Sequence, residues 1–114
     1  MVTLQGIKLE LINEYSLSPE RREEIRVLLQ SCFPYALFTL SRTYLKQIPP
    51  QRLLALDKDN TIGHLGLEHR VVGTTIGSIE ILGVIDLCVL EPYQGYGIAS
   101  QMLSWVGAVP SAKS

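Results

Sequence analysis

The chain has 114 residues, 46% hydrophobic and 18% charged, with ten basic residues against eleven acidic ones and a formal net charge of −1. That length suits a single domain over 1–114, and the apolar content is too high for a disordered chain. A near-neutral charge offers no polycationic surface to a nucleic-acid backbone. The start of the chain lacks the basic segment and apolar run that export needs, and no apolar run approaches the roughly 20 residues of a membrane span. The expectation is a cytoplasmic protein that engages neither nucleic acid nor membrane.

Ile7 to Ile12 alternates apolar and polar residues closely enough for a half-exposed edge strand. Ser18, Pro19 and Glu20 then supply an N-cap, a first-turn proline and an early acid, and Ile25, Leu28, Leu29 and Cys32 fall on one helical face. Arg21, Arg22 and Arg26 read as the solvated side of that helix. Pro34 ends it, and a second, less regular helix is expected over Leu37 to Gln47. Arg52 to Asp57 and Thr61 to Val72 read as a hairpin, with Asp59 and Asn60 suited to the left-handed backbone of a tight connection. Gly73 to Ser78 looks like a turn, and Ile79 to Leu90 like a long strand, central and covered on both faces. A glycine-rich turn leads into a last helix carrying Ile98, Met102, Trp105 and Val106 on one side. The fold class is α+β, with an antiparallel meander flanked by helices.

Chemistry concentrates where the last strand becomes the last helix. Amides in the first turn of a helix lack intrahelical partners and lie at the positive end of its dipole, so the junction suits an anion. Gly95 and Gly97 carry no Cβ to keep a phosphate away, although both also suit a plain tight turn. The segment lacks the Lys-Ser/Thr ending of a P-loop and the third glycine of a dinucleotide fingerprint.

Gln94, Gly95, Tyr96, Gly97, Ile98 and Ala99 match the Gln/Arg-x-x-Gly-x-Gly/Ala signature of the GNAT superfamily of N-acetyltransferases, and Asp86 to Tyr93 resembles that family's fourth strand and its exit. The resemblance implies a GNAT-like fold and acetyl-CoA as co-substrate. Backbone amides from Gln94 to Ala99, with the Ser100 hydroxyl nearby, would hold the pyrophosphate. Leu87, Cys88 and Val89 would lie beside the pantetheine arm, with a main-chain amide near Val89 stabilising the oxyanion that develops at the thioester. The reaction it implies is direct acetyl transfer to a primary amine, on a small molecule or a peptide.

Asp86 interrupts an apolar run two residues before Cys88, so strand alternation puts both on one face. It stands as the candidate base or amine-positioning carboxylate, with a hydrogen-bonded structural carboxylate as the other reading. No His and acid partner can be matched to Cys88 for covalent catalysis, and Cys32 and Cys88 read as reduced, buried thiols. His64 and His69 fall on opposite strand faces, so no metal site is expected. Tyr93 and Tyr96 flank the glycine turn and are expected to pack on the last helix. Relative to the family, the chain is expected to lack the usual C-terminal strands. A homodimer pairing exposed strand edges would complete the sheet, and a non-catalytic acyl-CoA-binding or regulatory module is the alternative function.

Overall fold

The computed structural model describes residues 6–107, and the side chains of Arg70, Val72, Ile79, Glu80 and Ile81 lie outside that description. Strand β1 spans Ile7–Asn13, helix α1 Pro19–Cys32, β2 Gln51–Asp57, β3 Asn60–Thr74, β4 Gly77–Val89 and helix α2 Ile98–Trp105. The strands form one antiparallel sheet in the order β1-β2-β3-β4. Among the described residues, no helix is long and apolar enough to cross a membrane.

Helix α1 begins as its sequence requires. The Ser18 hydroxyl accepts from the Arg21 amide at 3.1 Å, and Pro19 occupies the first turn, where a missing N–H costs nothing. The Phe33 amide donates to the Leu29 carbonyl at 2.8 Å, and Pro34 stops the helix there. Ile25, Leu28 and Leu29 are buried against Leu54, Leu56, Phe38 and Cys88 on one face of the sheet. On the opposite face, Ile98 and Met102 of α2 pack on Leu53, Ala55, Leu65, Leu67 and Val89. Alternate residues of β2 therefore feed two cores, which is why Arg52 to Leu56 reads as an unbroken apolar run after its first residue. Gly63 allows α2 this close: a Cβ there would stand 3.0 Å from the Ala55 Cβ and 3.3 Å from the Met102 sulfur. Trp105, expected on the apolar side of α2, is 51% exposed, whereas Val106 packs against the core.

Several expectations need correction. No second helix forms over 37–47: the segment consists of turns and bends with one isolated bridge, Thr39 to Arg42. Side chains satisfy its backbone instead. Gln30 donates to the Ala36 carbonyl at 2.6 Å and accepts from the Phe38 amide at 3.1 Å, while Phe38 itself is buried. Strand β4 is an edge strand among the described residues, and the doubly covered positions belong to β2 and β3. The β2–β3 connection takes its left-handed residues at Lys58 (φ 51°) and Asp59 (φ 73°), and Asn60 already pairs with Asp57. Gly73 and Ser78 are paired strand residues, so the β3–β4 turn is tighter than the composition indicated. Arg21 and Arg22 are not simply solvated: Arg21 bonds Glu24, Thr61 and the Asp59 carbonyl, and Arg22 pairs with Glu14 at 2.6 Å. Arg26 pairs with Glu23 along the helix.

Replacing Ser18 with Ala should lower stability by about 1 kcal/mol through the lost cap. Leu29→Ala, at a site with no solvent exposure, should cost about 2–5 kcal/mol. Urea unfolding of the two variants beside the parent chain measures both.

Candidate functional site

A one-residue irregularity in the β3–β4 ladder sets the face of every residue near the site. His64 pairs with Cys88 but Gly66 pairs with Ile85, so β4 carries an extra residue, and Asp86 takes a left-handed φ of 51°. Such a bulge turns two successive residues toward one side. Val84 and Leu87 accordingly join the α2-side core and Cys88 the α1-side core, while Ile85 and Asp86 both line a depression under the 45–47 segment. Asp86 and Cys88 thus share the α1 side, as strand alternation predicted, and the bulge changes the side of Asp86 only relative to the residues before it.

The left-handed Asp86 is held from several directions. His64, with no solvent exposure, bonds the Asp86 carbonyl through Nδ1 at 2.9 Å, and the Asp86 carboxylate accepts from the Leu45 amide at 3.1 Å. A carbonyl only accepts, so Nδ1 carries the proton and Nε2 accepts from Arg52 Nη1 at 3.3 Å. The Arg52 guanidinium has no solvent exposure either, and also donates to Glu14 (2.7 Å), the Thr43 carbonyl (2.7 Å) and the Thr43 hydroxyl (2.9 Å). Burial, reinforced by the Arg52 charge, drives the His64 imidazole down to about 3 and keeps it neutral. Burial raises the Asp86 carboxyl, opposed by the Leu45 amide and by Arg52.

Two depressions flank the bulge. One, about 290 Å³, is lined by Leu45, Lys46, Gln47, Glu68, Ile85 and Asp86, with Gln47 hydrogen-bonded to Glu68. The other is an open groove of about 670 Å³. Its walls are Leu87, Cys88 and Val89 on one side, Glu91, Gln94 and Ala99 on another, and Ser31 to Pro34 from the end of α1 opposite. None of its lining residues is basic, so an anion there would depend on backbone donors.

The turn into α2 supplies such donors. Gly95 (φ 87°) and Gly97 (φ 81°) are left-handed, and a Cβ on either would meet nothing within 4 Å, so the space beside them is open. Gly97 caps α2 without any side-chain partner for the first amides. The Gln94 side chain donates to the Val89 carbonyl at 2.8 Å and ties the turn to the strand end. The Leu90 amide donates across the sheet to Ile62 at 2.8 Å. By alternation the Val89 amide points the other way, out of the β4 edge and along the groove.

Of the residues singled out in sequence, Leu87, Cys88, Val89, Gln94 and Ala99 line the groove, and Gly95 and Gly97 shape its turn. The Tyr96 and Ser100 side chains are exposed beside them, whereas the Ile98 side chain is committed to the core, leaving only its backbone for a ligand. Tyr93 packs against the α2-side core and donates from its hydroxyl to Asp57 at 2.6 Å. The α1 wall of the groove was missed, though the Phe33-Pro34 helix stop marks it, and nothing in the one-dimensional pattern linked Arg52, His64 and Asp86. Burial raises both thiols, Cys88 strongly, which suits an inert side chain better than a nucleophile. Among the described residues, no group of three or more His, Cys, Asp or Glu is arranged to hold a metal ion.

No protein-family model matches the chain, and no curated protein matches it significantly in sequence. Solved structures do match. An aminoglycoside acetyltransferase from an uncultured soil metagenomic sample aligns with a TM-score of 0.68 at 17% identity, over 91% of this chain and 69% of its own. A ribosomal-protein-alanine N-acetyltransferase from Brucella melitensis biovar Abortus 2308 aligns at 0.61 and 17%, over 90% and 70%. A Pyrococcus horikoshii protein described as an acetyltransferase aligns at 0.61 and 17% over 93% of this chain, which spans only 35% of that one. The fold is that of the GNAT acetyltransferases.

A neutral His64 in the folded chain, against an ordinary value of 6.5, means that the unfolded chain binds the extra proton as pH falls from about 6.5 toward 3. The contribution of His64 to stability is therefore complete above pH 6.5 and is lost below it, by at most about 1.4 kcal/mol per pH unit. Urea unfolding at pH 7 and pH 5 should show this loss in the parent chain and a smaller one in His64→Asn.

Proposed function

We propose that this chain is an acetyl-CoA-dependent N-acetyltransferase that passes the acetyl group directly to a primary amine. The observation that carries the reading is the Gly95–Gly97 turn: two left-handed glycines open toward free space, at the uncapped start of α2 and beside the 670 Å³ groove. A pyrophosphate suits that turn because amides converge there and no side chain stands in the way. The similar enzymes include one named as an aminoglycoside acetyltransferase and one as a ribosomal-protein-alanine N-acetyltransferase, and a further structural match, an aminoglycoside N-acetyltransferase at 16% identity and a TM-score of 0.53, is in complex with CoA.

In this reading, the groove takes the pantetheine arm along Leu87, Cys88 and Val89. The outward Val89 amide then faces the thioester oxygen and stabilises the charge that grows on it as the amine adds. The acceptor enters from the other side of the bulge, through the depression that ends at Asp86. Asp86 takes a proton from the amine as it attacks, and its raised affinity for protons brings it nearer to a useful base; the C–S bond then breaks and CoA leaves as its thiolate. The arrangement also accounts for the bulge, since it presents Asp86 to one depression and Leu87 to the other. The outer edge of β4, unpaired among the described residues, is where a second copy would pair in a homodimer.

Calorimetric titration of the purified chain with acetyl-CoA tests the first half. Saturable binding is expected, with loss of at least about tenfold in affinity for Gly97→Glu, which sets a carboxylate where the phosphate belongs. Gly97→Asn tolerates the left-handed backbone and should retain most of the affinity. A folded chain that binds no acetyl-CoA would remove the reading. Asp86→Asn should leave acetyl-CoA affinity unchanged and lower kcat by about 10²- to 10⁴-fold in an amine-acetylation assay.

A further inference from the structure

His64 makes no direct approach to either depression, yet both of its ring nitrogens are used, and each use bears on Asp86. The Nδ1–H holds the Asp86 carbonyl at the bulge, where the backbone is left-handed and not a glycine. Such a conformation costs free energy unless its surroundings enforce it. The Nε2 atom receives Arg52, whose other donors grip Glu14 and Thr43, the latter two residues before the Leu45 amide that binds the Asp86 carboxylate. One imidazole therefore sets the bulge from below and, through the guanidinium, the segment that lies over it.

We propose that His64, braced by Arg52, is a positioning residue for acyl transfer: it fixes the β4 bulge so that the Asp86 carboxylate faces the acceptor depression while Leu87 to Val89 face the groove. The catalytic consequence rests on the acetyltransferase reading; the geometric part does not. A neutral ring suits the task, because a protonated one would lose the Nε2 acceptor and set a second cation against Arg52. The other charged groups around Asp86 are Lys46 and Glu68 in the same depression, with the Cys88 thiol two residues along the strand.

Three substitutions in the whole chain test this. His64→Asn retains an amide N–H at the reach of Nδ1, His64→Gln extends its amide toward Arg52 without a donor at the Asp86 carbonyl, and His64→Leu removes both contacts. The first readout is hydrogen exchange of the Leu45 amide by NMR, which needs no activity. Exchange should quicken at least about tenfold in His64→Gln and His64→Leu while the amides of α1 stay protected, and should remain near the parent rate in His64→Asn. The second readout is steady-state amine acetylation: kcat should fall at least about tenfold in Gln and Leu and recover in Asn. If Leu does not fold, the contrast between Asn and Gln decides alone. Leu45 protection in Gln equal to that in Asn and the parent overturns the inference whatever the turnover. A parent chain that neither binds acetyl-CoA nor acetylates overturns the acetyltransferase reading, and the exchange rates then judge the positioning by themselves.

Discussion

A guanidinium shut away from water ties this molecule together. Arg52 lies in the middle of the sheet, and its donors reach the end of β1 through Glu14, the irregular 43–45 segment through Thr43, and β3 through His64. Burying an arginine is costly unless charge and hydrogen bonds are replaced, and removing one partner of such a set leaves an uncompensated group. Glu14 supplies the charge, shared with Arg22 of α1. The strands and helix could form without this knot, but the segment between α1 and β2 would lose the bonds that seat it at Thr43.

That segment shows how a chain does without regular structure. Beyond the Thr39–Arg42 bridge and the Arg42 bond to the Leu45 carbonyl, its backbone groups are met by side chains from elsewhere: Gln30 at Ala36 and Phe38, Arg52 at Thr43, Asp86 at Leu45. Every one of these partners is distant from the segment or outside it, so the order of 37–47 is borrowed from the packed sheet and α1. The depression beneath the segment inherits this dependence, and its shape is a property of the assembled fold.

The groove on the other side of the bulge has a different origin. It exists because α1 stops at Phe33, β4 ends at Val89, and the chain turns through two left-handed glycines before α2 begins. Each of those events is local. The Gln94 bond to the Val89 carbonyl then closes the strand end against the turn.

The sequence by itself determined the elements whose causes are local. The Ser18-Pro19 start of α1, the proline that ends it, the period-two strands and the glycine turn into α2 were all legible, as was the match of Gln94 to Ala99 to an acetyltransferase signature. Tertiary structure alone decided the rest. No helix forms over 37–47 because side chains outside the segment, from Gln30, Arg52 and Asp86, take backbone groups that a helix would pair. Strand β4 read as central because its residues are apolar, but a run of apolar residues records burial without saying which neighbour provides it, and β2 and β3 hold the doubly covered positions. Arg52 read only as the start of a strand and His64 only as one of two histidines on opposite strand faces, because a hydrogen bond between residues 12 apart leaves no periodic trace. The face of Asp86 depended on one extra residue in a ladder, and that count is settled only when two strands align.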